Sequence, residues 1–199
     1  MLMKKQRTLE LLAPARDLAC AMAVVDHGAD AVYIGASDFG ARVAAGNSVD
    51  DIHQLCDYAH RYGVRVYVTV NTLIYEDEID KVYQLMKQLA EAKVDALLVQ
   101  DMAAIELVAR VRRELGYAPA LHASTQCDTR SAGKVQWLQQ QGFSRAVLAR
   151  ELSLDEIKAI HQAVPTVELE GFVHGALCVS YSGVCYASQH CFGRSANRG

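Results

Sequence analysis

Short apolar runs alternate with amphipathic stretches along the whole chain. The runs read Leu9–Leu12, Ala31–Ile34, Val64–Val70, Ala96–Val99, Ala120–His122, Ala146–Leu148 and Val167–Val173. Their starts lie 21 to 33 residues apart, enough for one strand, one helix and the turns between them. Several are continuous apolar runs, which marks strands covered on both faces, as in a parallel sheet flanked by helices. Gly28–Gly35 is echoed by Lys93–Gln100 and Gly142–Ala149, so the unit repeats. The stretches between have helical period: Ile79, Val82, Leu85, Met86 and Leu89 form one stripe, and Ile105, Val108, Val111 and Leu115 another. Ser153 and Glu156 form a capping box ahead of Ile157 and Ile160.

Seven strands joined by helices predict an α/β protein, a parallel (β/α)8 TIM-type barrel that is incomplete over residues 1–199. A whole barrel takes about 250 residues, and no eighth strand and helix follow Cys191. The expectation is therefore an N-terminal barrel portion of a longer protein. An open doubly wound sheet is the alternative, because repetition alone does not show closure. A hydrophobic content of 51% supports a sizeable core, and three prolines without low-complexity runs argue against an internal linker.

Charge and cysteine usage narrow the setting. A net charge of −3 gives no general attraction to nucleic acid. Lys4, Lys5 and Arg7 have no apolar segment behind them, so they do not open a secretory signal, and no run reaches membrane-spanning length. Six cysteines without such a signal point to reduced thiols or metal ligands in the cytoplasm. Cys56 falls on an apolar helix face and Cys20 beside one, which are packing positions. Cys127 is ambiguous, and Cys178, Cys185 and Cys191 form a cluster.

In a barrel the C-terminal strand ends share one face, so distant residues converge there. Read off the runs, that face collects Asn71, Asp101, His122 with Ser124 and Gln126, Arg150 with Glu151, and His174. His122, His174 and Asp101 are the catalytic candidates; Asn71, Gln126, Arg150 and Glu151 are the candidates for binding a polar or anionic substrate. Each has a plainer alternative. Asp101 sits where it could cap the helix near Met102, Arg150 and Glu151 could pair locally, and Asn71 could satisfy loop backbone.

Residues 170–199 hold the most specific pattern. Glu170, Phe172, Gly175, Cys178, Gly183, Cys185 and Ser188 fall in one spaced series, with Ala187 where a larger aliphatic residue would complete it. The series resembles the signature of the peptidase U32 (collagenase-like) family, and the resemblance extends from about Leu9 to Gly199 through Glu10–Ala15, Gly28–Gly35 and Arg150–Leu154. Arg16 and Asp17 depart from it, since relatives tend to carry glycine there. The six residues between Cys178 and Cys185 are not a zinc-finger spacing, but thiolates following a strand end suit an iron–sulfur cluster or zinc.

The resemblance implies the barrel fold. It also implies a [4Fe–4S] cluster bound by Cys178 and Cys185, with its remaining ligands beyond residue 199. Family members include oxygen-independent hydroxylases acting on uridine in tRNA, cytidine in ribosomal RNA or ubiquinone precursors, with prephenate implicated as oxygen donor in the RNA reactions. Arg150–Leu154 and Phe172–Tyr181 most resemble the tRNA-type members, so RNA hydroxylation is the first reading and RNA the expected partner. Peptide hydrolysis, with Cys178 as nucleophile and His174 or His122 as base, is the alternative; a cluster-bearing scaffold without catalysis is a third. The chain has neither a His-Glu-x-x-His nor a Gly-x-Ser-x-Gly motif to support hydrolysis.

Overall fold

The computed structural model describes residues 9–37, 39–40, 46–175, 178 and 180–192. The N-terminal Lys4, Lys5 and Arg7, and Ala176 and Leu177 of the signature, lie outside these. Strands and helices alternate as β1 (Leu12–Ala15), α1 (Leu18–Asp26), β2 (Ala31–Gly35), α2 (Val49–His60), β3 (Arg65–Val70), α3 (Ile79–Glu91), β4 (Ala96–Val99), α4 (Ala103–Leu115), β5 (Ala120–Ala123), α5 (Ala132–Gln140), β6 (Phe143–Val147), α6 (Leu154–Ala163) and β7 (Glu168–Glu170). A short helix, α7 (Ala187–Phe192), ends the described chain. All seven strands are parallel and lie in sequence order.

The sheet curls. On a flat sheet β1 and β6 would stand about 24 Å apart, five strand spacings. Instead Glu10, just before β1, meets Arg145 of β6 at 2.5 Å and also pairs with Arg65 of β3. The predicted incomplete barrel is what forms; the sequential strand order and that contact argue against the open doubly wound sheet.

Alternation along each strand makes two cores. Val66, Val68 and Val70 pack outward with Ile52, Leu55, Met86 and Leu89 of the helices. Tyr67 turns inward with Ala31, Ala96, Leu98 and Val147. Small residues on β2 and β4 leave room for the Tyr67 ring. Arg145, only 5% exposed, occupies the same interior. It bonds Glu168 through two nitrogens at 2.5 and 2.9 Å, and lies 3.4 Å from Glu170. A buried guanidinium is tolerable only with such pairing.

The helices begin where the sequence says. The Ser153 hydroxyl accepts from Glu156 N while the Glu156 carboxylate accepts from Ser153 N, the predicted capping box. Strand limits differ more. β1 starts at Leu12; the Asp30 carboxylate takes the Leu11 amide at 2.7 Å, the Leu11 carbonyl accepts from Ala31 N at 3.2 Å, and the side chains of Leu9 and Leu11 stay exposed. β7 stops at Glu170, and Phe172 and Val173 beyond Gly171 are exposed. β6 starts at Phe143, since inward pairing lets Arg145 belong to a strand that apolar reading would interrupt.

Candidate functional site

The C-terminal mouth is built from strand-end loops, and its centre is the cysteine loop after β7. Arg150 and Glu151, just past β6, grip that loop. The Arg150 amide and Nε donate to Ser182 Oγ at 3.2 and 3.3 Å, and Nη2 donates to Ser180 O at 3.0 Å. Ser182 N donates to Glu151 Oε1 at 2.9 Å. Glu151 also meets Arg130 at 3.3 Å, and Arg130 meets Asp128 at 2.5 Å. Among the described residues Arg150 and Glu151 do not pair with each other: Arg150 hydrogen-bonds the cysteine loop, and Glu151 pairs with Arg130.

Gly183 completes the docking. Its φ of +77° favours glycine, and a Cβ there would come within 2.6 Å of Gln126 O. Gln126 therefore lies against the loop, its amide donating to Ser124 Oγ at 3.3 Å. Asn71 joins the same hydroxyl from β3's end at 3.2 Å. Asp101 is bound to backbone: it accepts from Ile74 N at 3.0 Å and Ala103 N at 2.9 Å, joining the loop after β3 to the start of α4. The capping alternative describes its contacts. His174 is exposed in the first turn after β7.

His122 lies elsewhere. It faces the barrel interior, its ring 4.8 Å from Tyr67 in an edge-on contact, and is 4% exposed. It lines a cavity of about 620 Å³ with Arg65, Ala96, Ala120, Phe143 and Glu168, residues at strand starts. That cavity opens at the N-terminal end of the barrel, away from the cysteines. Burial, then the cations Arg145 and Arg65, push its pKa down to about 3. His122 is therefore neutral near pH 7, with Nδ1 unpartnered.

Three features were missed in the sequence. Glu170 opens the signature, yet its carboxyl turns inward beside Arg145, and burial raises its pKa. Arg130 and Ser182 are the other two. Arg130 sits two residues after Asp128 in the loop following β5, and Ser182 just before the signature glycine. Thr72 Oγ1 and Gln100 Oε1, just past strand ends, and Thr129 Oγ1, in the loop between β5 and α5, are buried without a hydrogen-bond partner. Such groups mark a mouth suited to a polar ligand or water.

The thiols separate into two kinds. Burial pushes Cys56 up to about 12 and Cys127 up to about 11, so both stay protonated. Cys127 points its sulfur at Val99 O, 3.4 Å away. Cys178 and Cys191 are exposed and Cys185 half-buried. The Ser180 amide and then the Arg150 guanidinium hold the Cys178 thiol below its ordinary pKa. Donor type and exposure therefore fit a thiolate-bound iron–sulfur cluster. Among the described residues, however, no group of three or more His, Cys, Asp or Glu converges as a metal site. The two signature cysteines can supply part of a ligand set.

The pattern described as Peptidase family U32 matches residues 16–199. The chain belongs to peptidase family U32. A 23S rRNA 5-hydroxycytidine C2501 synthase of Escherichia coli is 53% identical over 192 residues, covering 96% of this chain and 28% of the relative. A protein of Methanocaldococcus jannaschii named as an uncharacterized protease is 39% identical over 96% of the chain and 46% of its own length. A tRNA hydroxylation protein P1 of Bacillus subtilis is 38% identical, covering 96% and 44%. This U32 chain thus spans between about a quarter and a half of these relatives. The solved structure of a U32 peptidase superposes with a TM-score of 0.66 at 18% identity, over 86% of this chain and 71% of that one, which supports the barrel fold. No described helix is long and apolar enough to cross a membrane.

Proposed function

We propose that the protein containing this chain hydroxylates a pyrimidine in RNA, with cytidine of large-subunit ribosomal RNA as the preferred substrate. The 53% identity to a 23S rRNA 5-hydroxycytidine synthase carries the reading; the tRNA hydroxylation relative at 38% makes uridine of tRNA the next candidate. Cys178 and Cys185 are proposed as two ligands of a [4Fe–4S] cluster, which would supply one-electron transfer. Replacing a ring C–H by C–OH oxidises the base by two electrons, so an oxygen donor that is itself reduced is needed. Prephenate is the proposed donor, and its carboxylates suit a mouth carrying Arg130. Asn71, Gln126 and Gln100 are the proposed hydrogen-bonding partners of a polar ligand, with His174 and Asp101 proposed from the same strand-end rim. His122, neutral and buried, is assigned to the barrel interior.

Hydrolysis has less support in the geometry. Among the described residues no hydrogen bond joins Cys178 to a histidine, and the buried thiols stay protonated. Mass spectrometry of nucleosides from cells lacking the full-length protein tests the proposal. The expected result is loss of 5-hydroxycytidine from 23S rRNA, restored by the wild-type gene and not by Cys178→Ser. Unchanged hydroxycytidine and hydroxyuridine, with cleavage of peptides by the purified protein, would replace this reading by the peptidase one.

A further inference from the structure

Cys178 and Cys185 are separated by six residues, and four consecutive ones, Ser180 to Gly183, touch neighbouring loops. Ser180 is held through its carbonyl by Arg150 at 3.0 Å. Arg130 lies 5.8 Å from the centre of the Tyr181 ring. Ser182, 1% exposed, is bonded from both sides by Arg150 and Glu151. Gly183 fits against Gln126 and Asp128 with no room for a Cβ. The segment is thereby tied to two strand-end loops, one after β5 and one after β6. The cysteines are left at its flanks, at least partly exposed.

We propose that Arg150, Glu151 and Ser182 form a latch that positions the cysteine loop, and that Arg150 acts as a positioning residue for the cluster rather than as a substrate anchor. The cluster part of this rests on the ligand assignment made above. Two arguments carry it. The Nε/Nη2 edge of the Arg150 guanidinium is already taken by the loop, so that edge does not offer a bidentate grip on a carboxylate. Ser182 is buried, so its bonds serve the loop and not a ligand. Thiolates held at fixed separation bind a cluster without first ordering the chain, as outer-shell bonds do for other metal ligands. A guanidinium beside a ligating sulfur also favours the more negative, reduced cluster and raises its potential.

The test uses full-length protein purified without oxygen, as Ser182→Ala, Glu151→Gln, Arg150→Lys and Arg150→Met. Hydrogen exchange across 180–185 should speed by about tenfold in all four, while strand amides exchange as in the wild type and confirm the fold. Arg150→Met should lower the cluster's midpoint potential, and Arg150→Lys, which keeps the charge, should restore most of it. kcat should fall with KM for the donor unchanged. The latch is overturned if loop exchange is unaltered in Ser182→Ala and Glu151→Gln and Arg150→Lys alone raises the donor's KM, since Arg150 would then be the substrate anchor. Wild-type protein without iron would sink the ligand assignment and the cluster-tuning role, and the exchange measurement would still decide the latch.

Discussion

At the scale of single residues, burial sets the chemistry more than residue type does. His122 and His174 both look like general acid–base candidates in the sequence, yet one is enclosed and the other exposed. Holding His122 at about 3 instead of its ordinary 6.5 means that the unfolded chain binds a proton which the folded chain refuses. Its contribution to stability is complete above pH 6.5 and is lost as pH falls toward 3, at up to about 1.4 kcal/mol per pH unit. Urea denaturation between pH 7 and 4 should show a steeper loss in the wild type than in His122→Phe; equal slopes would contradict the assignment. The same logic separates the thiols: Cys56 and Cys127 are inert packing groups, while Cys178 lies open beside Arg150. Burial depends on which way a strand faces, and a residue's type does not say that.

At the scale of elements, the helices and inner strands were legible because their patterns are redundant. Several apolar positions mark α3 or β4, and losing one changes nothing. The strand ends were less so. Leu9 and Leu11 look like strand residues, but their side chains stay exposed and β1 begins at Leu12. Arg145 is the clearer case, a charge that apolar reading leaves outside the strand and that the barrel interior requires. It pairs with Glu10, Glu168 and Glu170 at once, carboxylates contributed from β7 and the approach to β1. Arg145→Leu should therefore cost about 3–5 kcal/mol, the range for stranding buried charges, read as a lower denaturation midpoint. A loss below about 1 kcal/mol, the exposed-pair range, would show that the pairing does not hold the curl. Of the site, the cysteine loop and the strand-end rim were visible in the sequence. The grip of Arg150 and Glu151 on Ser180 and Ser182 was not, because it joins residues about thirty apart with no periodicity to reveal them.

At the scale of the whole molecule, the two ends of the barrel are chemically distinct. The N-terminal end opens on the His122 cavity, lined by strand starts whose charges are internally paired. The C-terminal end carries the cysteine loop, unpartnered buried oxygens and the Arg150–Glu151 grip. The RNA hydroxylation proposed above belongs to the second face, through a cluster held by Cys178 and Cys185. The most direct measurement incubates 23S rRNA from cells lacking the protein with full-length protein purified without oxygen, plus prephenate and a reductant, and quantifies 5-hydroxycytidine by mass spectrometry. Iron-dependent formation by the wild type is expected, abolished in Cys178→Ser and Cys185→Ser. Product of equal yield from an iron-free preparation, or from either cysteine variant, would contradict it.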